Sequence, residues 1–209
     1  MGGKSFGIWK WITTLRNYEH IERYLNELTG DVYDQPPDAG HQAAIDDIIT
    51  RWLPNLHGLQ SVLDVGCGQG QAMPILKRYA RRVTGVTLGD DAQICKDKDL
   101  EVYCADMSFL PFEEGEFDLI FARHSLEHSP MPLLTLMEWQ RVAKQWLLLV
   151  VPNLHQFGSS GRNHYYVLLP DQWLNLLNRA GWHPIWEDLE SEAMEHRWLC
   201  EKKRRILRG

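Results

Sequence analysis

Several things are scarce in this 209-residue chain, and each scarcity removes a class of function. There are four cysteines, Cys67, Cys95, Cys104 and Cys200, with no C-x-x-C spacing, so neither a zinc framework nor a disulfide scaffold is expected. Reduced thiols in a cytoplasmic protein are the expectation. Basic excess is also missing: 22 Lys and Arg stand against 28 Asp and Glu, a net charge of -6, which disfavours nucleic acid as a bulk electrostatic partner. The basic cluster Lys202 to Arg208 is read as a solvated end. The longest apolar run, Trp146 to Pro152, is too short to cross a membrane, and Met1 to Phe6 lacks the apolar run of a signal peptide. No transmembrane segment is therefore expected. Internal repeats and low-complexity stretches are lacking as well.

What is present centres on Ser61-Val62-Leu63-Asp64-Val65-Gly66-Cys67-Gly68-Gln69-Gly70. An apolar run closes on alternate glycines, the pattern of a buried strand turning sharply into a helix N-terminus. Glycines at such a turn reach positive φ and let a ligand approach the backbone closely. A dinucleotide loop would read G-x-G-x-x-G. From Gly66 that register needs a glycine where Gln71 stands, and from Gly68 where Met73 stands, so the fingerprint fails. Asp64, a carboxylate two residues before the first glycine, suits a ligand that brings positive charge.

Around this loop the chain alternates strands and helices. An N-terminal appendage over 1–40 contains a helical pattern from Asn17 to Leu28 and a loop to Gly40, and a lid role for it is one reading. A helix follows over Ala43 to Trp52. Strands are expected at 61–65, 83–88, 100–105, 117–122 and 146–151, with helices at 73–80, 92–98, 132–144 and 171–179, the last capped by Asp171. A closing antiparallel pair spans 182–189 and 194–202. Nine tryptophans are many for this size, and several sit near the chain ends, away from the expected core. The fold class is α/β: a Rossmann-like, seven-stranded, mostly parallel sheet with helices on both faces and a C-terminal antiparallel hairpin. Residues 41–209 form its domain, and chemistry belongs at the carboxyl ends of its strands.

Asp64-Val65-Gly66-Cys67-Gly68-Gln69-Gly70 resembles D-x-G-x-G-x-G, motif I of the class I S-adenosylmethionine-dependent methyltransferases. Leu110-Pro111-Phe112 through Phe117-Asp118-Leu119-Ile120 resembles the run before strand four in their type-11-like branch. The resemblance spans about residues 40 to 185. It implies S-adenosyl-L-methionine as cofactor, with Asp64, Gly66, Cys67, Gly68 and Gly70 along its methionine end. Asp106 and Met107 fall where the family reads adenine, and the backbone near Arg123 and His124 falls against the cofactor. The family's ribose-chelating acid is missing, because its position reads Thr87-Leu88. Cyclopropane fatty acid synthases resemble this segment with Gly-x-Thr-Leu, and Asp90 or Asp91 stands near enough to substitute.

Two further stretches carry candidates. His124, Glu127 and His128 spell H-x-x-E-H, which on a helix places both imidazoles on one face and gives a zinc reading. Because the run follows a buried strand and Pro130 and Pro132 cut any helix short, no metal is expected. The loop after strand five is long, polar and glycine-bearing. It offers His155 and His164, with His128, as candidate bases, while Tyr33, Asn153, Tyr165 and Tyr166 are candidate substrate contacts. The resulting expectation is methyl transfer to an O, N or C nucleophile on a small molecule, glycan or lipid. A non-catalytic nucleoside-binding protein and a zinc protein using His124 and His128 are the alternatives. The acceptor and the oligomeric state are not legible.

Overall fold

The computed structural model describes residues 39–153, 164–189 and 195–203, together with Arg23, Tyr24 and Glu27. The chain divides into two compact units, residues 1–34 and 35–209. In the first, Arg23, Tyr24 and Glu27 are helical. Tyr33 lies outside the described residues, as do His155 and most of the 1–40 appendage for which a lid is one reading.

In the second unit, helix α1 (Ala39–Trp52) leads through a 3-10 turn (Leu53–Asn55) into strand β1 (Ser61–Val65). Then come α2 (Met73–Leu76), β2 (Arg82–Thr87), α3 (Gly89–Asp97), β3 (Val102–Cys104) and β4 (Phe117–Arg123). A 3-10 turn (Leu126–His128) precedes α4 (Pro132–Val142) and β5 (Ala143–Pro152), followed by α5 (Pro170–Ala180), β6 (Trp182–Asp188) and β7 (Glu195–Lys202). The sheet order is β3-β2-β1-β4-β5-β7-β6. The first five strands run parallel, and β7 inserts antiparallel between β5 and β6, as the expected hairpin requires.

Alternation along the central strands builds two cores. Leu63, Val65, Ile120, Leu147 and Leu149 face one way, onto Trp139 of α4 and Trp173 of α5. Val62, Leu119, Phe121, Leu148 and Val150 face the other, onto Ile45, Ile48, Ile49 and Trp52 of α1 and Met73 of α2. Trp182 and Trp198 are fully buried in the first core. Trp198, on the interior strand β7, and Trp182, under α4, are therefore core, contrary to their expected place outside it, while Trp186 on the edge strand β6 is exposed.

Local boundaries differ in instructive places. Helix α2 stops at Leu76, and Lys77 to Ala80 continue only as turns. At α5 the cap is Leu169, with Pro170 at the first helical position and Gln172 Oε1 accepting from Leu169 N at 2.9 Å. Asp171 instead sits inside the first turn, where its charge meets the helix dipole. Gly181 ends α5 at φ 90°, the left-handed cap a glycine permits. Among the described residues, no helix is long and apolar enough to cross a membrane.

Candidate active site

Registered parallel pairing brings four strand ends to one edge: Val65 lies beside Val86 and Ala122, and Thr87 beside Cys104. The loops leaving that edge hold the candidate residues. Gly66 N and Cys67 N both donate to Val86 O, at 2.8 and 3.0 Å, which pins the start of the glycine loop onto β2. On the far side, Lys98 Nζ donates to Gln69 O at 2.9 Å and Cys95 Sγ to Gly68 O at 3.2 Å. The loop is thus held from both flanks before any ligand arrives.

Its three glycines serve different ends. A side chain on Gly66 would strike Ser125, with a Cβ–Cβ approach of 2.5 Å, and one on Gly70 would strike Leu100 at 2.3 Å. Both are packing constraints. Gly68, at φ 50°, faces open space, and the nearest atom to a Cβ there is Asp91 Oδ2 at 3.8 Å. That leaves a bare stretch of backbone with a carboxylate across from it. Asp90 is exposed and Asp91 half-buried, so Asp91 is the acid turned toward the loop.

Asp64 is 3% exposed, and its Oδ2 meets no hydrogen-bond partner. Burial, reinforced by Cys95, pushes its carboxyl up to about 8. An anion without a counter-charge is expensive there, so the carboxyl holds its proton at neutral pH until a cation approaches. Asp106, at 9% exposure, caps its own turn through Ser108 N to Oδ1 at 2.7 Å. Met107 O accepts from Trp139 Nε1 at 3.0 Å, which ties this loop to α4.

The H-x-x-E-H run does not form a helix. His124 ends β4 at φ 49°, a costly left-handed geometry for a residue with a side chain, and only Leu126–His128 coil, as a 3-10 turn. The two imidazoles therefore part. His124 Nε2 lies 3.0 Å from Glu195 Oε1, and Arg123 pairs with the same carboxylate. Arg197 Nη2 reaches Glu195 Oε2 at 3.3 Å, and its Nη1 reaches Asp47 on α1 at 2.9 Å. Burial would raise the Glu195 carboxyl, yet the His124 contact and the charges of Arg123, His124 and Arg197 hold it down near 2. The side chains of Arg123 and His124 are committed to this network, and His124 N donates to Val150 O at 3.0 Å. The alternative zinc reading, which paired His124 with His128, loses its shared helix face through this divergence.

His128 turns the other way. Its ring stacks edge-on against His164 with centroids 4.7 Å apart, and its Nε2 stands 4.0 Å from Glu127 Oε1. Tyr165 N and Tyr166 N donate to Glu127 O at 2.9 and 3.1 Å, which brings the distant His164 segment to this turn. Glu127 was legible only as a neighbour within the motif, yet it is fully buried. Asn153 is half-buried at the end of β5, and Tyr165 is largely exposed.

A family model described as a methyltransferase domain matches residues 63–149, which run from β1 to β5. Over these residues the chain is similar to the methyltransferase domain that its glycine loop also resembles. Among similar proteins is a sterol 4-C-methyltransferase from Caenorhabditis elegans, 28% identical over 148 residues, covering 65% of this chain and 43% of that protein. Another is a 2-methyl-6-phytyl-1,4-hydroquinone methyltransferase from Synechocystis, 32% identical over 138 residues, covering 59% and 43%. The chain thus spans less than half the length of these curated relatives. Magnesium protoporphyrin IX methyltransferase from Synechocystis, solved with bound S-adenosylhomocysteine, matches at TM-score 0.63 and 16% identity, covering 90% of this chain and 96% of its own. The cyclase SpnF matches at TM-score 0.66 and 19% identity, covering 90% and 94%.

S-adenosylmethionine is the cofactor that this resemblance implies. The residues present fit it on two observations: the orphaned Asp64 oxygen answers a cationic group, and Gly68 leaves the backbone bare for close approach. Thr87 is buried at the end of β2 where the family's acid would stand. Leu88 caps α3, whose first turn then presents Asp91.

Proposed function

We propose that this chain transfers a methyl group from S-adenosylmethionine to a nucleophile on an apolar small molecule. S-adenosylmethionine brings an electrophilic methyl on a sulfonium, already a good leaving group. The protein's task is then mainly alignment, worth several kcal/mol of barrier when reacting atoms are held in near-attack geometry.

In this reading Asp64 gives up its proton to become the counter-ion of the cofactor's cationic end. Gly66, Cys67, Gly68 and Gly70 supply the backbone floor. Asp91 takes the ribose role that Thr87 cannot fill, since a hydroxyl cannot grip two hydroxyls as a carboxylate does. Asp106 and Met107 receive the adenine, and the backbone at Arg123 and His124 closes the near side. His128 and His164 stand where a hydroxyl nucleophile would need to lose its proton; burial lowers the His164 pKa, which keeps that imidazole neutral and able to accept.

An open pocket of about 500 Å³ carries the choice of acceptor. It lies at the N-terminal ends of α4 and α5 and is lined by Pro130, Met131, Leu134, Tyr166, Leu168 and Leu176. Tyr166, whose OH bonds to Pro130 O at 3.4 Å, forms the wall shared with the His164 segment. Such a lining favours an isoprenoid-like or steroid-like body over a glycan. The sterol and hydroquinone relatives support the same chemistry.

Calorimetry with S-adenosylmethionine, followed by transfer of labelled methyl to a panel of sterols, prenylated quinols and glycans, tests the reading. Cofactor binding with transfer to an apolar acceptor is expected. Binding without transfer to any of them would place the protein beside the cyclase SpnF, as a holder of the fold with another use. No binding at millimolar cofactor would end the proposal.

A further inference from the structure

Glu127 and His128 belong to the H-x-x-E-H run and His164 lies far along the chain, yet the fold gathers the three at one point. Their nearest ligand atoms, one per residue, lie within 4.8 Å of one another. The Glu127 side chain is fully enclosed, and neither carboxyl oxygen has a hydrogen-bond partner on another residue. His164 Nδ1 is likewise buried without a partner. A carboxylate left unsolvated at full burial costs several kcal/mol unless something positive joins it. Arg123, whose charge acts on it, is already engaged by Glu195.

We propose that Glu127, His128 and His164 form a binding site for a divalent metal ion of the zinc type. Two imidazoles and one carboxylate are a donor set that suits borderline divalent cations, and three protein ligands leave a coordination position open. Bonds of about 2.0–2.2 Å require ligand atoms about 3.5 Å apart, so rotation of the two rings must draw the cluster in by about an ångström. Both partners are already tethered. His128 rides on the 3-10 turn through its own N donating to Ser125 O at 3.1 Å, and His164 precedes the two backbone N–H groups bonded to Glu127 O. Tyr166, two residues after His164, lines the apolar pocket. A metal at the cluster would bind the acceptor's oxygen and lower its pKa, replacing the imidazole base. That role rests on the methyl-transfer reading; the site itself does not.

The test is a zinc titration of the full chain after chelator treatment, read by calorimetry, with cobalt(II) as a visible-absorption probe. One equivalent of zinc is expected. His128→Ala and His164→Ala should each weaken it by about 100-fold or more, and Glu127→Gln by about 10-fold. The Gln variant is isosteric, so it tests the site even where an Ala variant fails to fold, and circular dichroism reports on folding. Absence of one-to-one binding, or binding retained by folded His128→Ala and His164→Ala proteins, would overturn the site. The same samples titrated with S-adenosylmethionine separate the two readings. Zinc without cofactor affinity keeps the metal site and ends the transferase reading; cofactor without zinc does the reverse.

Discussion

Glu195 and Glu127 both have fully enclosed side chains near the same edge of the sheet, and they are opposite in state. Glu195 is ringed by Arg123, Arg197 and His124 and is held down near 2, while Glu127 lacks a counter-charge of its own and is pushed up to about 8 by burial. A neutralised buried carboxylate is architecture: it locks β4, β7 and, through Asp47, α1 together. A frustrated one is a place kept for something else, and Asp64 on the other flank of the edge is frustrated in the same way. The site is thus a pair of unsatisfied carboxyls mounted on a satisfied frame.

The comparison breaks most visibly at the frame. Glu195→Gln keeps the shape but leaves Arg123 buried without its anion and Arg197 with Asp47 and Asp188 alone, and should cost about 3–5 kcal/mol in denaturant unfolding. Because the Glu195 pKa is depressed, its contribution is full above about 4.5 and is lost as pH falls toward about 2. A stability within 1 kcal/mol of wild type would mean that the network is ornamental.

Glu127→Gln should move stability the other way. The folded carboxyl binds a proton up to about 8 whereas the unfolded one releases it near 4.5, so stability falls as pH rises between those values. In chelator-treated protein the Gln variant removes that decline. It should match wild type near pH 4.5 and exceed it by about 3 kcal/mol at pH 8, by thermal unfolding at each pH. Parallel curves would show that Glu127 is satisfied by a partner within the protein.

How much of this was readable beforehand follows the range of the interactions. The glycine loop, the strand sequence and the register of strand ends come from local period and turn chemistry, and they stand as expected. Glu195 had no local signal: it meets Arg123 across 72 positions, only because β7 inserts beside β5. His164 reaches Glu127 through backbone bonds from a loop whose course no periodicity describes. The H-x-x-E-H pattern is visible and is set aside because a buried strand and two prolines flank it; a left-handed His124 keeps apart what a helix would have joined. Asp91 was one of two candidates until Gly68 showed which of them faces the loop.

Asp64 extends the comparison to the cofactor. Asp64→Asn should raise the melting temperature of the free protein at pH 8 by removing a frustrated charge, while weakening S-adenosylmethionine by about 100-fold, or 2.7 kcal/mol. Wild-type affinity should climb as pH rises from 6 to 8, because binding requires the ionised carboxyl, and the variant should lose that slope. Unchanged affinity would mean that the orphaned oxygen does not face the cofactor.

Asp91 supplies the mildest case, a half-buried carboxylate whose loss leaves no buried charge behind. Asp91→Asn keeps the size of the side chain and the N-terminal turn of α3 while giving up one of the two oxygens that grip a diol. The expected loss in cofactor affinity is about 10-fold, or 1.4 kcal/mol, with little change in unfolding. The sharper arm is a 2′-deoxyadenosyl analogue of S-adenosylhomocysteine. It should bind wild type about 10-fold worse than the parent, yet bind Asp91→Asn with nearly the parent's affinity for that variant, since the hydroxyl it lacks is the one the variant no longer holds. Equal penalties in both proteins would return the ribose contact to Thr87, and the carboxylate opposite Gly68 would then belong to the frame rather than the site.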